Sequence, residues 1–128
     1  METKTILVVE DNEMNMKLMR AVLRLGNYRM LEAADAETGL ELLRSERPDL
    51  ILMDIQLPGM DGLAATALLK QDPATATIPV IALTALAMKD DKEKTLAAGC
   101  DAYIAKPLRY QELYAAIDTL LKGKPEVP

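Results

Sequence analysis

The sequence predicts an α/β domain, a doubly wound parallel sheet of five strands with five helices, and three observations carry that prediction. Five short apolar or β-branched runs are spaced along the chain, and each is followed by a segment of helical character. The runs are apolar at nearly every position, as in strands buried on both faces, instead of alternating as half-solvated hairpins do. Their carboxyl ends carry polar residues close to turn signals. No internal repeat, low-complexity segment or linker interrupts the pattern, so one sheet joined by right-handed crossovers accommodates all five runs.

Thr5 to Val9 (TILVV) reads as the first buried strand. Glu10-Asp11-Asn12 follows, and Asp11 or Asn12 is placed to cap the first helix. Met14, Leu18, Ala21, Val22 and Leu25 recur there at helical spacing and are expected to face the core. Met16, Met19 and Leu23 form a second stripe beside them, a core margin or a contact surface for a partner. Gly26-Asn27 stops the helix. Tyr28 to Ala33 is a weaker second strand, followed by a helix from Ala36 to Glu46 that turns Leu40, Leu42 and Leu43 inward. Pro48 separates that helix from the central strand, Leu50 to Met53, which ends at Asp54 and turns over Pro58-Gly59 and Asp61-Gly62.

Leu63 to Gln71 makes a third helix, ended by Asp72-Pro73, and Ile78 to Thr84 (IPVIALT) is the fourth strand. The next helix, Met88 to Ala98, offers only Met88, Leu96 and a few alanines for burial, so it is expected to be weakly held. Ala102 to Ala105 is a short fifth strand ending in Lys106-Pro107. Leu113, Ile117, Leu120 and Leu121 mark the final helix. Residues 1–122 form the expected domain and 123–128 (GKPEVP) a disordered tail.

Composition narrows the chemistry. At 128 residues and 14.0 kDa with 50% hydrophobic residues, the chain suits one domain with its own core. A net charge of -5 argues against a surface for nucleic-acid phosphates or an anionic membrane. No apolar run reaches the roughly 18 residues of a membrane span, and a soluble, cytoplasmic protein is expected. Cys100 is alone, which excludes an internal disulfide and a cysteine metal cluster. There is no histidine, which removes Ser-His-Asp and Cys-His arrangements, HExxH zinc sites and any histidine base. The remaining chemistry belongs to carboxylates, hydroxyls, lysine and a hard metal.

In a parallel sheet the carboxyl ends of the strands share one rim, where ligands collect. Glu10 and Asp11 would stand there after the first strand, Asp54 after the third, Thr84 after the fourth and Lys106 after the fifth. Taken singly, Asp11 suits capping, Thr84 suits a strand, and a lysine is usually a solvated charge. Together they crowd three carboxylates that repel one another unless a cation lies between them. Mg²⁺ suits such a site, because it takes one or two carboxylates and keeps positions open for a phosphoryl group. Asp54 could then act as a nucleophile, with Lys106 and Thr84 stabilising the transferred group.

VVEDN, LMDIQLPGMDG, VIALTA and YIAKP together resemble the response-regulator receiver domain, from about Thr5 to Lys122. The resemblance implies a flavodoxin-like sheet of order 2-1-3-4-5. It implies that Asp54 is the phosphoacceptor and that Mg²⁺ is held by Glu10, Asp11, Asp54 and the backbone carbonyl of Gln56. Thr84 would bond the phosphoryl group, Lys106 would pair with its oxygens, Ala85 would lie in the loop beside the phosphate, and Tyr103 would be the switch aromatic. The implied donor is a sensor histidine kinase or a histidine phosphotransfer protein acting in trans, and the output is a downstream protein bound through the fourth helix, fifth strand and fifth helix. DNA binding is not expected. A Mg²⁺-dependent phosphohydrolase and a phosphorylation-independent interaction module are the alternatives.

Overall fold

The computed structural model describes residues 3–84, 89–106 and 109–122, without the side chains of 89–92 and 122. Ala85, Met88, Pro107 and the 123–128 tail therefore lie outside the described residues. In chain order the elements are β1 (Thr5–Val9), α1 (Glu13–Leu25), β2 (Arg29–Ala33), α2 (Ala36–Leu42), β3 (Leu50–Asp54), α3 (Gly62–Gln71), β4 (Val80–Thr84), α4 (Lys89–Ala97), β5 (Ala102–Ala105) and α5 (Tyr110–Lys122). The strands pair in parallel in the order β2-β1-β3-β4-β5, as expected. Chain direction across the sheet reverses between β1 and β3, and this places a crevice at their carboxyl ends.

Strand alternation divides the core in two. Ile6, Val8, Leu50, Leu52, Ile81, Leu83 and Ile104 point to the face covered by α1 and α5, where Leu23, Leu113 and Ile117 are fully buried. Leu7, Val9, Ile51, Met53, Val80 and Ala82 point to the opposite face, against Ala36 of α2 and Ala65 and Leu69 of α3. Three helices start from side-chain caps: Asn12, Asp35 and Asp61 accept the backbone N–H groups of Asn15, Thr38 and Ala64 at 3.0, 2.7 and 2.7 Å.

The structure corrects the expected face of α1. Met16, Met19, Val22 and Leu23 are the buried residues, whereas Met14, Leu18 and Leu25 are 75, 53 and 79% exposed. Both stripes are apolar at helical spacing, so periodicity alone does not say which one meets the sheet. The Asn12 cap settles the phase, fixing where β1 hands the chain into the helix. Met16, one turn on, donates its N–H to the Asn12 carbonyl and turns inward.

Smaller differences also have local causes. Tyr28 was expected to open β2, but its N–H bonds the Leu23 carbonyl and closes the end of α1. Asn27, with φ of 63°, supplies the left-handed residue of that turn. β4 begins at Val80, not Ile78, because Ile78 donates its N–H to Thr75 and Pro79 has none. α2 stops at Leu42 and continues as tighter turns through Ser45. Among the described side chains of α4, Leu96 is exposed and the buried one is the hydroxyl-bearing Thr95. An apolar anchor is thus missing among the described residues of that helix.

Beneath the opposite rim, Lys70 at the end of α3 gathers three acceptors. Its ammonium donates to the carbonyls of Ala76 and Ile78 at 3.2 and 2.9 Å and to Asp101 at 3.0 Å. Asp101 in turn accepts the N–H of Val80 at 2.9 Å. One side chain thereby joins α3, the loop before β4 and the turn into β5. Lys70→Met is expected to cost about 2 kcal/mol of stability, the usual scale for hydrogen bonds to a charged group, read as a lower denaturant midpoint with an unchanged slope.

Candidate functional site

The site grows out of the carboxyl ends of the strands. Glu10 is the first residue beyond β1, and its N–H still bonds the Ala33 carbonyl at 3.0 Å, so the sheet holds its backbone. Its side chain runs inward, leaving the residue 2% exposed, and one carboxylate oxygen accepts the Asn12 N–H at 3.2 Å. Because Asn12 is the cap of α1, Asp11 is spared that role and stands exposed at the mouth of the cleft. Asp54 ends β3 and is 3% exposed. One of its oxygens accepts the Gln56 N–H at 3.1 Å, and the other accepts from Lys106 at 3.0 Å.

Lys106 follows β5, and its backbone N–H bonds the Thr84 carbonyl at 2.7 Å, fixing the ends of β4 and β5 to each other. From there its ammonium bridges Asp54 and Glu10, at 3.0 and 3.2 Å. Thr84 is buried at the end of β4, opposite Ala105 in register. Oxygens of Glu10, Asp11 and Asp54 lie within 4.8 Å of one another.

Three carboxylates against one ammonium leave this corner short of positive charge. Burial pushes the Glu10 carboxyl above its ordinary value of 4.5; contact with Asp54 adds to the rise, and the Asn12 N–H and Lys106 oppose it. Burial pulls Lys106 down, but its hydrogen bond to Asp54 and the charges of Asp54 and Glu10 outweigh this and hold it above 10.5. Lys106 is therefore cationic throughout the physiological range. A cluster of hard oxygen donors with excess negative charge fits a hard divalent cation, and Glu10, Asp11 and Asp54 are the residues placed to hold it.

Five of the residues singled out in the sequence, Glu10, Asp11, Asp54, Thr84 and Lys106, thus converge on one rim. Gln56 joins through its N–H to Asp54. Tyr103 is half-buried within β5, opposite Ala82. The Asn12 contribution to Glu10 was not foreseen, although the Glu-Asp-Asn run contains its only sequence signal: a residue two positions on whose backbone points back to the acid.

A five-stranded parallel sheet in this order, with acids just after β1 and at the end of β3, a buried threonine at the end of β4 and a lysine after β5, defines a receiver domain. The sequence matches the response regulator receiver domain over residues 6–118, and the chain belongs to that family of two-component signalling proteins. More particularly, it is similar to the polar-differentiation response regulator DivK of Brucella anthropi, with 46% identity over 118 residues that cover 92% of this chain and 96% of the relative.

Solved structures agree. The receiver domain of sensor histidine kinase PA1611 from Pseudomonas aeruginosa PAO1, described with a magnesium ion coordinated in its active-site cleft, superposes with a TM-score of 0.87 at 37% identity, covering 94% of this chain and 98% of that one. The receiver domain of a signal-transduction histidine kinase from Syntrophus aciditrophicus gives a TM-score of 0.90 at 32% identity, covering 98% and 96%. Receivers are phosphoacceptors whose partners are histidine kinases and phosphotransfer proteins. No described helix is long and apolar enough to cross a membrane.

Proposed function

We propose that the chain is a cytoplasmic phosphoacceptor switch, with residues 1–122 as the working unit and Asp54 as the acceptor. The observation that carries this reading is the buried Asp54 carboxylate, 3.0 Å from the Lys106 ammonium in a cluster with Glu10 and Asp11. An Asp54 oxygen attacks the phosphorus of a phosphohistidine, the P–N bond breaks, and the departing imidazole nitrogen carries its electron pair away and takes up a proton. The product is an acyl phosphate. Glu10, Asp11, Asp54 and the Gln56 carbonyl would hold Mg²⁺, which when bound supplies charge neutralisation on the phosphoryl oxygens. Lys106 contributes a second positive charge, and the Thr84 hydroxyl would donate to the new phosphoryl group.

The switch follows from that last contact. A phosphoryl group adds charge and acceptor oxygens that draw Thr84 and Lys106 toward it. Thr84 is joined in sequence through Ala85 to α4, so in this reading its movement is passed to α4, β5 with Tyr103, and α5, the surface that meets a downstream protein. Incubation with Mg²⁺ and phosphoramidate tests the reaction: one phosphoryl group per chain is expected, and none with a chelator present. Uptake that ignores the chelator would contradict the metal assignment.

Proton competition is a further expectation. Glu10 titrates above the ordinary carboxylate value, so Mg²⁺ affinity should fall between two pH values, one neutral and one acid, because protons compete with the cation for this carboxylate before they do for an ordinary one. Titration calorimetry at the two values reads the difference directly. Affinity that is flat across the interval would show that Glu10 is not a ligand.

Donor docking is placed on the exposed stripe of α1, Met14, Leu18 and Leu25, instead of the buried Met16, Met19 and Leu23 named by the sequence. This helix begins immediately beyond Glu10 and Asp11, so a partner lying along it reaches the cleft. Leu18→Lys is expected to slow transfer from a protein donor about tenfold, or ~1.4 kcal/mol, while leaving uptake from phosphoramidate unchanged. Equal loss with both donors would refute docking there.

A further inference from the structure

We infer that Gly62 is a positioning residue for Asp54, an inference that rests on Asp54 being the acceptor. The peptide joining Asp54 to Ile55 is clamped from both sides. Its N–H donates to the Leu83 carbonyl of β4 at 3.0 Å, and its carbonyl faces the first residue of α3, Gly62. That approach is possible only without a side chain: a Cβ at position 62 would run into the Asp54 carbonyl oxygen and would stand 2.9 Å from its carbon and 3.0 Å from the Ile55 Cα.

Gly62 is itself held in place. Its N–H bonds the Ile55 carbonyl at 3.0 Å, closing the loop that leaves β3, and its carbonyl accepts the buried Thr66 hydroxyl at 2.8 Å. Asp61 caps the same turn through the Ala64 N–H. The start of α3 is thus a fixed stop against which the end of β3 rests. A methyl group there cannot move into space, because the atoms it meets are backbone, so the peptide after Asp54 must tilt or retreat. The Asp54 carboxylate and the Gln56 backbone are both attached to that peptide within two residues, and both would leave the positions that face Lys106 and the metal cluster. Nothing in this depends on the glycine adopting a left-handed conformation; close approach alone requires it.

Three proteins test the inference: wild type, Gly62→Ala, and Gly26→Ala as a control. Gly26 is also tightly packed, since a Cβ there would meet the Tyr28 and Tyr114 rings at 2.9 and 3.0 Å, but it lies at the far end of α1. Each is followed by thermal unfolding, by calorimetric titration with Mg²⁺ alone, and by phosphoryl uptake from phosphoramidate. Gly62→Ala is expected to bind Mg²⁺ about tenfold more weakly and to take up the phosphoryl group about a hundredfold more slowly, the scale set by support residues of metal sites and by displacements of a reacting group. Gly26→Ala should keep wild-type values for both, even at an equal loss of melting temperature.

Wild-type Mg²⁺ affinity in Gly62→Ala, or the same losses in Gly26→Ala, would overturn the inference. Should Gly62→Ala fail to fold, Thr66→Val decides, because it removes only the hydroxyl that anchors Gly62: several-fold weaker Mg²⁺ binding supports the inference and unchanged binding overturns it. Absence of a phosphoryl group on wild type would count against Asp54 as acceptor, while the Mg²⁺ titrations would still decide whether Gly62 sets the geometry of the cluster.

Discussion

Asp54→Asn is expected to abolish phosphoryl uptake from every donor while leaving the fold intact. The amide keeps the shape of the carboxylate and can still accept the Gln56 N–H, which bonds Asp54 at 3.1 Å, so the turn after β3 should persist. What disappears is the nucleophile, since an amide oxygen does not form a stable acyl phosphate, together with one negative charge of the metal cluster. Rate loss should exceed about a thousandfold, limited by detection. Mg²⁺ binding should weaken by about tenfold, because two carboxylates remain where three stood. Intact mass after incubation with phosphoramidate measures the first effect and calorimetry the second. An unchanged far-UV circular dichroism spectrum excludes unfolding as the cause.

Lys106→Met should act in the opposite sense on the metal and in the same sense on signalling. The ammonium bridges two buried carboxylates at 3.0 and 3.2 Å, and removing it leaves their charges facing each other, with the Asn12 N–H still on Glu10 and the Gln56 N–H still on Asp54. Without Mg²⁺ the variant is expected to lose about 2 kcal/mol of stability, below the 3–5 typical of a broken buried pair because Glu10 can escape by taking up a proton. The direction with pH follows from that escape. Glu10 titrates above 4.5 in the folded chain, so the folded form holds more protons than the unfolded one between the two values, and stability is lost as pH rises through the folded value. The deficit of Lys106→Met should therefore shrink on acidification, and added Mg²⁺ should restore stability more than it does in wild type. Phosphoryl transfer should still occur slowly, yet without Lys106 to pair with the phosphoryl group the change in partner binding should be lost. Denaturant titrations with and without Mg²⁺ at two pH values check the stability terms. Equal stability of both proteins in metal-free buffer would mean that the bridge contributes nothing.

Much of this was legible in the residues. LILM followed by a lone aspartate reads as a buried strand ending in an exposed rim, and the same logic brought Glu10, Asp11, Thr84 and Lys106 to that rim, because parallel strands deliver all their carboxyl ends to one side. The sheet order itself came from the family motifs, not from periodicity. What stayed hidden was mostly phase. On α1 both apolar stripes satisfy a helical period, and only the hand-off from β1 through the Asn12 cap decides that Met16 and Met19 go inward. Asp11 and Asn12 were equivalent as caps until the backbone showed Asn12 in that position, which leaves Asp11 at the cleft. The reach of Glu10 to both Asn12 and Lys106 is a matter of distance, which no residue pattern encodes. Gly62 was readable as a turn residue, but its contact with the Asp54 carbonyl depends on how α3 is seated.

The most direct test locates the phosphoryl group. Wild-type protein is phosphorylated with phosphoramidate and Mg²⁺, reduced with borohydride, which converts an aspartyl phosphate to homoserine, and digested for peptide mass mapping. Homoserine at position 54 and nowhere else, dependent on Mg²⁺, is the expected result. A glutamyl phosphate at Glu10 would reduce to the longer 5-hydroxynorvaline and an aspartyl phosphate at Asp11 to homoserine at position 11, so a reduced residue at any site other than 54, or a stable phosphoryl group that borohydride leaves untouched, would contradict Asp54 as the acceptor of this receiver.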